Sequence, residues 1–346
     1  MAPTREETDM AHRGANVGAR PAMLLAIGIG VLVSSACGLF STVSAPTTPP
    51  AAPSLPQRIA AASTTAKRST GVCADIAPFY WEIGDGATAN GSGAALKSGS
   101  SVLYTAQSEM PIDAASSWMY AAYVIERRRG VLTAEDIQFL TQQSGYTSIG
   151  TGSCNPLDTV EQCRARGSNG VLTAANTGKF FYDAGHLQTH ASLAAPGMKL
   201  GSLGTVALAD EIRRVLGTDI RLTYTQPLVA SGVRTTPRDY ALFLRKIISR
   251  QLLMTDALGT SAVCTAGAFC QTAAYSPYQG ALASSYSLGH WTGGIGPNGR
   301  GVLGFYPWIN GKFYGIIARA DSSASGITTS LCGSLLWNAW VTGVAQ

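Results

Sequence analysis

Two adjacent serines, Ser116 and Ser117, follow Asp113 by three and four positions in the stretch EMPIDAASSWMYAAYVIERRRG, Glu109 to Gly130. The stretch reads as a helix start running into a buried apolar segment. A serine hydroxyl attacks an ester or amide carbonyl only when a neighbouring base takes its proton. Asp113 is a weak base for Ser116, and its type and position fit a helix N-cap better. A second group lies in KFFYDAGH, where Lys179 and Tyr182 offer an amine and a phenol. His186 and His190, four apart, share a helix face as two metal ligands would. No HExxH and no third ligand accompany them, so they are expected to be polar helix positions, with no metal and no cofactor.

The elements that must position these groups are legible on both sides. Strand signals fall in FYWEIGD and SVLYTAQ before the serines, and in SYSLGHW, VLGFYPWI and KFYGIIARA near the other end. Asn310 and Gly311 suit a tight hairpin between the last two. Helical spacing runs through TAEDIQFLTQQ, LDTVEQCRAR, VALADEIRRVLG and TPRDYALFLRKIISRQLL, the last opened by Thr236, Pro237 and Asp239. SLCGSLLWNAWVTG forms a final helix. This order predicts one domain in two lobes: a sheet lobe from about 71–108 and 284–346, and a helical lobe from about 109–283, with a cleft where they meet.

With 346 residues, 46% hydrophobic and 13% charged, the chain can bury a sizeable core. The net charge of +5 is mild and scattered, with no basic stripe interleaved with aromatics, which argues against a nucleic-acid partner. Arg127, Arg128 and Arg129 before Gly130 suit a helix C-terminus, where cations complement the dipole and glycine supplies the left-handed cap. Arg5, Arg13 and Arg20 precede an uncharged run from Ala22 to Val33 and the small-residue stretch SSACG, the order of a secretory signal over 1–36. Cys37 then becomes the lipidated first residue of the mature chain; an uncleaved anchor from Ala22 to Phe40 is the alternative. Residues 37–70, rich in Pro, Ala, Ser and Thr, read as an extended tether.

Setting Cys37 aside leaves Cys73, Cys154, Cys163, Cys264, Cys270 and Cys332, an even set suited to an oxidising compartment. Pairs Cys154–Cys163 and Cys264–Cys270 would close short local loops, leaving Cys73 to join Cys332.

The phrases MPIDAASSWMYAAYVIE, FFYDAGH, ASGVRTTPRDYALFLRKI and GVLGFYPWINGKFYGIIA, in this order, resemble the serine β-lactamase and penicillin-binding-protein superfamily. Within it the chain is most similar to class C-like esterases and carboxypeptidases, over roughly residues 73–343. The resemblance implies an α+β fold of the β-lactamase/DD-peptidase type: an antiparallel sheet flanked by terminal helices, plus a helical subdomain inserted between strands. It also implies three motifs. Ser-x-x-Lys, whose residues share one helix face so that the lysine can take the serine's proton, falls on Ala114, Ala115, Ser116 and Ser117. Ala114 has no atom that can attack, and Ser117 is no base near neutral pH. Tyr-x-Asn falls on Tyr182, Asp183 and Ala184, keeping the phenol and losing the amide. The third motif, counted back from Gly304 and Phe305, falls on Asn298, Gly299 and Arg300, where Arg300 keeps a fork for a carboxylate. His290 in GHWTGG resembles that motif but fits the preceding strand better.

These readings imply an exported envelope lipoprotein, facing the periplasm or the exterior, whose hydrolase-like cleft binds without catalysis. Cell-wall peptide, a small ester or amide, or an envelope protein would be its ligand, with Asn298, Arg300 and His290 as candidate binding residues. The alternative is a serine hydrolase using Ser117 or Ser116 with Tyr182, possible only if a base serves them from elsewhere, such as Tyr182 itself or Lys179. Export predicts that the membrane-extracted protein begins at Cys37 and carries lipid; intact mass checks it, and a chain still starting at Met1 overturns it.

Overall fold

The computed structural model describes residues 51–149, 154–266, 270–278, 285–301, 304–320 and 326–346. The leader, Cys37 and the first part of the tether lie outside the described residues. Among those described, no helix is long and apolar enough to cross a membrane. The first elements are α1 (Leu55–Ala66), α2 (Val72–Ile76), β1 (Phe79–Asp85), β2 (Ala89–Ala95) and β3 (Met110–Pro111). The middle of the chain holds α3 (Ser116–Arg127), α4 (Ala134–Leu140), α5 (Val160–Arg164), β4 (Phe180–Phe181), α6 (Gly185–Ser192), α7 (Thr205–Leu216), β5 (Leu222–Tyr224), β6 (Val233–Thr235), α8 (Pro237–Ile248) and α9 (Met254–Ala257). Then come β7 (Val263–Cys264), β8 (Ala273–Tyr275), β9 (Ser285–Ser287), β10 (His290–Thr292), β11 (Tyr306–Asn310), β12 (Phe313–Ala318) and α10 (Gly326–Thr342).

Strands β2, β1, β12 and β11 lie side by side in that order, drawn from both ends of the chain and all antiparallel. Asn298 continues the sheet by pairing with Trp308 of β11 on one side and Trp291 of β10 on the other; β9 and β7 follow. Alternation along β1 sorts the core. Phe79, Trp81 and Ile83 face α1 and α10, while Tyr80 packs into the larger core around α3.

Three expectations need correction. The tether is not extended over its second half: residues 55–66 form α1. Gln57 Oε1 accepts the backbone N–H of Ser54 at 2.8 Å, and Pro56 sits in the first turn, where its missing N–H costs nothing. The small side chains that suggest a flexible spacer instead make a flat stripe, with Ala61, Ala62, Thr65 and Ala66 buried. SVLYTAQ is not a strand; Val102 and Leu103 are exposed, since adjacent rather than alternating apolar residues give a sheet no single face to bury. The partner of β1 is instead the glycine-rich ANGSGAA. A β-carbon on Gly91 would stand 2.9 Å from the Trp340 ring, and one on Gly93 3.0 Å from the Trp81 indole nitrogen. Finally, SYSLGHW is two strands rather than one, folded back at Gly289 with φ of 78°.

The disulfides join Cys73 to Cys332, Cys154 to Cys163 and Cys264 to Cys270. The first ties α2 to α10 across 259 positions, worth about 5.5 kcal/mol in the chain-entropy model against about 2 for a six-residue loop. Replacing Cys73 and Cys332 together by Ala should therefore lower the unfolding free energy far more than replacing Cys264 and Cys270. Urea denaturation of the two double variants measures this, and equal losses would contradict it.

Candidate functional site

A tight 3-10 turn, Asp113–Ala115, leads into α3. Asp113 holds φ of 48°, a left-handed conformation that is strained for any side-chain-bearing residue. It is not the N-cap expected from the sequence, because its side chain caps no amide of the turn or the helix. The residue is only 8% exposed, and its carboxyl has neither hydrogen bond nor ion pair among the described residues. Burial pushes it up to about 6.

Next to it opens a cleft of about 260 Å³, with Asp113, Ala114, Ser117, Gln142, Tyr182 and Asp183 on its wall. The turn before α6 places Asp183. Its Oδ1 accepts the backbone N–H of Ile149 at 2.9 Å and of Gly185 at 2.7 Å, and burial still raises this carboxyl to about 6. Gln142 accepts the Asp183 N–H at 2.9 Å and donates to the Tyr286 hydroxyl at 3.1 Å, fixing the wall between them. The Tyr182 ring lies 5.3 Å from that of Trp291, tilted by 39°, and burial beside Tyr286 and Tyr278 holds its phenol far above the usual range, so it stays protonated. Ser231 also reaches the cleft, its buried Oγ without a partner among the described residues. Among the described residues no Lys, Arg or His lines this wall.

Ala114, the residue that the sequence resemblance aligns with a nucleophile, lines this cleft. The backbone just past Arg300 lies against it: a β-carbon on Gly301 would come within 2.9 Å of the Ala114 methyl. Three residues on, the Ser117 hydroxyl donates to the Ala230 carbonyl at 3.2 Å. Ala114, Ser117 and Tyr182 thus share one wall of the cleft.

The other candidates lie elsewhere. Ser116 is fully buried and its Oγ accepts the Val233 N–H at 3.4 Å, since one step along a helix turns a side chain about 100° away. Lys179 is exposed on the surface before β4 and does not line the cleft. His290 is a core residue of β10: it stacks 5.2 Å from Trp118, its Nδ1 donates to the Leu288 carbonyl, and burial lowers it to about 4. Asn298 spends its amide on the Gly293 and Gly296 carbonyls at 3.2 and 2.7 Å. The Arg300 guanidinium lies 3.7 Å over the Tyr278 ring, away from the wall. His186 and His190 are buried rather than surface positions. His186 takes Ser144 at Nδ1 and donates to the Phe181 carbonyl, while His190 bridges Tyr120 and Asp136. Among the described residues no group of His, Cys, Asp and Glu is arranged to hold a metal ion.

Sequence reasoning missed Gln142, Asp183 and Ser231 as wall residues. Asp183 had a signal as the middle of the Tyr-x-Asn phrase; the other two had none, because they come from a helix C-terminus and a loop far apart in the chain.

No protein-family model matches the chain, and a search of curated proteins returns no relative. Solved structures do match. A β-lactamase/D-alanine carboxypeptidase from Yersinia pestis shares 13% identity at a TM-score of 0.55, covering 82% of this chain and 98% of its own. A D-stereospecific amidohydrolase from a Streptomyces species shares 14% at 0.53, covering 85% and 100%. A D-amino acid amidase from Ochrobactrum anthropi shares 10% at 0.52, covering 78% and 95%. The chain therefore has the β-lactamase/DD-peptidase-like fold, antiparallel sheet and inserted helical region included.

A carboxyl whose pKa rises from 3.8 unfolded to about 6 folded costs stability as pH climbs between those values, and the loss is complete above about 6. Asp113→Asn should thus stabilise the protein by on the order of 2 to 3 kcal/mol at pH 7.5, and by much less at pH 4. Urea denaturation of variant and wild type at both pH values measures the difference, and a pH-independent gain would contradict it.

Proposed function

We propose that this chain is an exported binding protein of the cell envelope that uses a β-lactamase-like cleft to hold its ligand without forming an acyl-enzyme. The reading is supported by Ala114: the residue aligned with the nucleophile is a cleft-lining methyl group packed against the Gly301 backbone and offers no oxygen. Acyl transfer needs an oxygen that attacks and a base that takes its proton. Ser117, at the lysine position, supplies neither: its proton is already committed to the Ala230 carbonyl. The Tyr182 phenol keeps its proton, and a phenol far above its usual pKa is a poor base at neutral pH.

The leader, the cysteine at position 37 and three disulfides support export, with lipid on Cys37 as the anchor. Cell-wall peptide or a partner protein of the envelope suits such a location as ligand.

Wild type incubated with fluorescent penicillin and with a fluorophosphonate should gain no mass. Ala114→Ser with Ser117→Lys restores nucleophile and base one helical turn apart and should gain a slow adduct, held back on the order of a hundredfold by the missing third motif. Because position 117 is buried, the melting temperature of the double variant is read beside its mass. Acylation of wild type that Ser117→Ala abolishes would overturn the reading and make the protein a hydrolase with a relocated nucleophile.

A further inference from the structure

The cleft is electrostatically one-sided. Asp113 and Asp183 both reach it, each in a buried setting, and no side-chain cation faces them among the described residues. Asp183 satisfies one oxygen with two backbone N–H groups, but Asp113 is more than nine-tenths buried, lines the cavity and has no partner among the described residues. A buried carboxylate left without a partner carries the full cost of its lost hydration, which a donor bearing positive charge would offset. The backbone holds Asp113 in a left-handed conformation that nothing in its own side-chain bonding repays. The remaining wall completes a receptor of the same kind. Ser231 adds a buried hydroxyl with no partner among the described residues, and Tyr182 and Tyr275 add aromatic rings, whose faces attract cations.

We infer that the cleft beside Asp113 and Asp183 binds a protonated amine, carried by an amino acid, a peptide N-terminus or a short alkyl-amine side chain. This rests on the reading of the chain as a binding protein and names the chemistry of its ligand. The ammonium donates to Asp113 and Ser231, the free side of Asp183 contributes charge, and the rings enclose the adjacent carbons. A cavity of about 260 Å³ suits one residue of a peptide rather than a folded surface. A carboxylate ligand meets the opposite situation, two acids and no cation.

Calorimetric titration at pH 7.5 with four small probes tests this. Alaninamide presents an α-ammonium, N-acetyllysinamide an alkyl-ammonium, N-acetylalaninamide is the uncharged analogue and N-acetylalanine the anion. At least one of the two amines should bind about tenfold or more tightly than N-acetylalaninamide, and which one does identifies the source of the amine. Asp113→Asn should remove that preference while the protein stays folded, and Ser231→Ala should weaken it by about threefold. Equal affinity for the amines and the neutral analogue, preference for N-acetylalanine, or no binding of either amine at 20 mM, roughly the weak limit for a small polar ligand, would overturn the inference. Ammonia released from alaninamide by a protein that still prefers the amine would support amine recognition and sink the non-catalytic reading instead.

Discussion

The larger core of this fold is arranged around one helix that has no wet side. Every residue of α3 from Ser116 to Ile125 is buried, so the helix cannot present a polar stripe anywhere along those positions. A helix of this kind is stable only if other elements enclose it completely. Trp118 meets Phe243 of α8 and His290 of β10, Tyr123 reaches Glu211 of α7, and Gly289 turns against the Ser117 carbonyl with no room for a side chain. The sheet and the helices that follow α3 thus share in one wrapping. The cleft lies at the N-terminal end of the wrapped helix, where the 3-10 turn brings Asp113 and Ala114 out to meet Asp183 and Tyr182.

Polar groups inside such a wrapping must find each other. The Tyr120 hydroxyl meets His190 Nδ1 at 2.9 Å, His190 Nε2 meets Asp136 at 2.9 Å, and Arg128 closes the chain on the same carboxylate. Burial alone would raise Asp136, but bonds from His190, Arg128 and Thr133 hold it well below the ordinary carboxylate range. One histidine therefore links α3, α4 and α6. That role explains the four-residue spacing to His186, which makes an equivalent link from α6 to Ser144.

Legibility followed the physics of each signal. The amphipathic helices with caps, such as Thr236–Pro237–Asp239 opening α8, were readable because capping and periodicity are local. The hairpin of β11 and β12 was readable from its turn, with Gly311 at φ of 56°. Helix α1 and strand β2 were not, because what stabilises them is the shape of distant tryptophans: alanines and glycines are informative only once Trp81 and Trp340 are in place. The cleft was half legible. Ala114, Ser117 and Tyr182, named from the sequence, do share its wall, while its charge depended on burial, which no spacing of Asp113 and Asp183 encodes. The third-motif residues misled for a related reason: Asn298 and Arg300 have binding chemistry by type, but neighbouring carbonyls and the Tyr278 ring absorb it.

The Cys73–Cys332 bridge has a mechanical side. Pro53 lies against Gly343, where a β-carbon on the glycine would stand 2.6 Å from the proline ring, and Gln346 donates its N–H to Thr65 of α1 at 3.0 Å. The segments leading out of the fold therefore leave it side by side. Tension applied between them runs through α1, the covalent bridge and α10, and the 259-position span between the two cysteines is bypassed. A pull that strips α1 from α10 stops at the sulfur atoms. The sheet, the wrapped helix and the cleft would then keep their shape under a force that had already undone the outer layer.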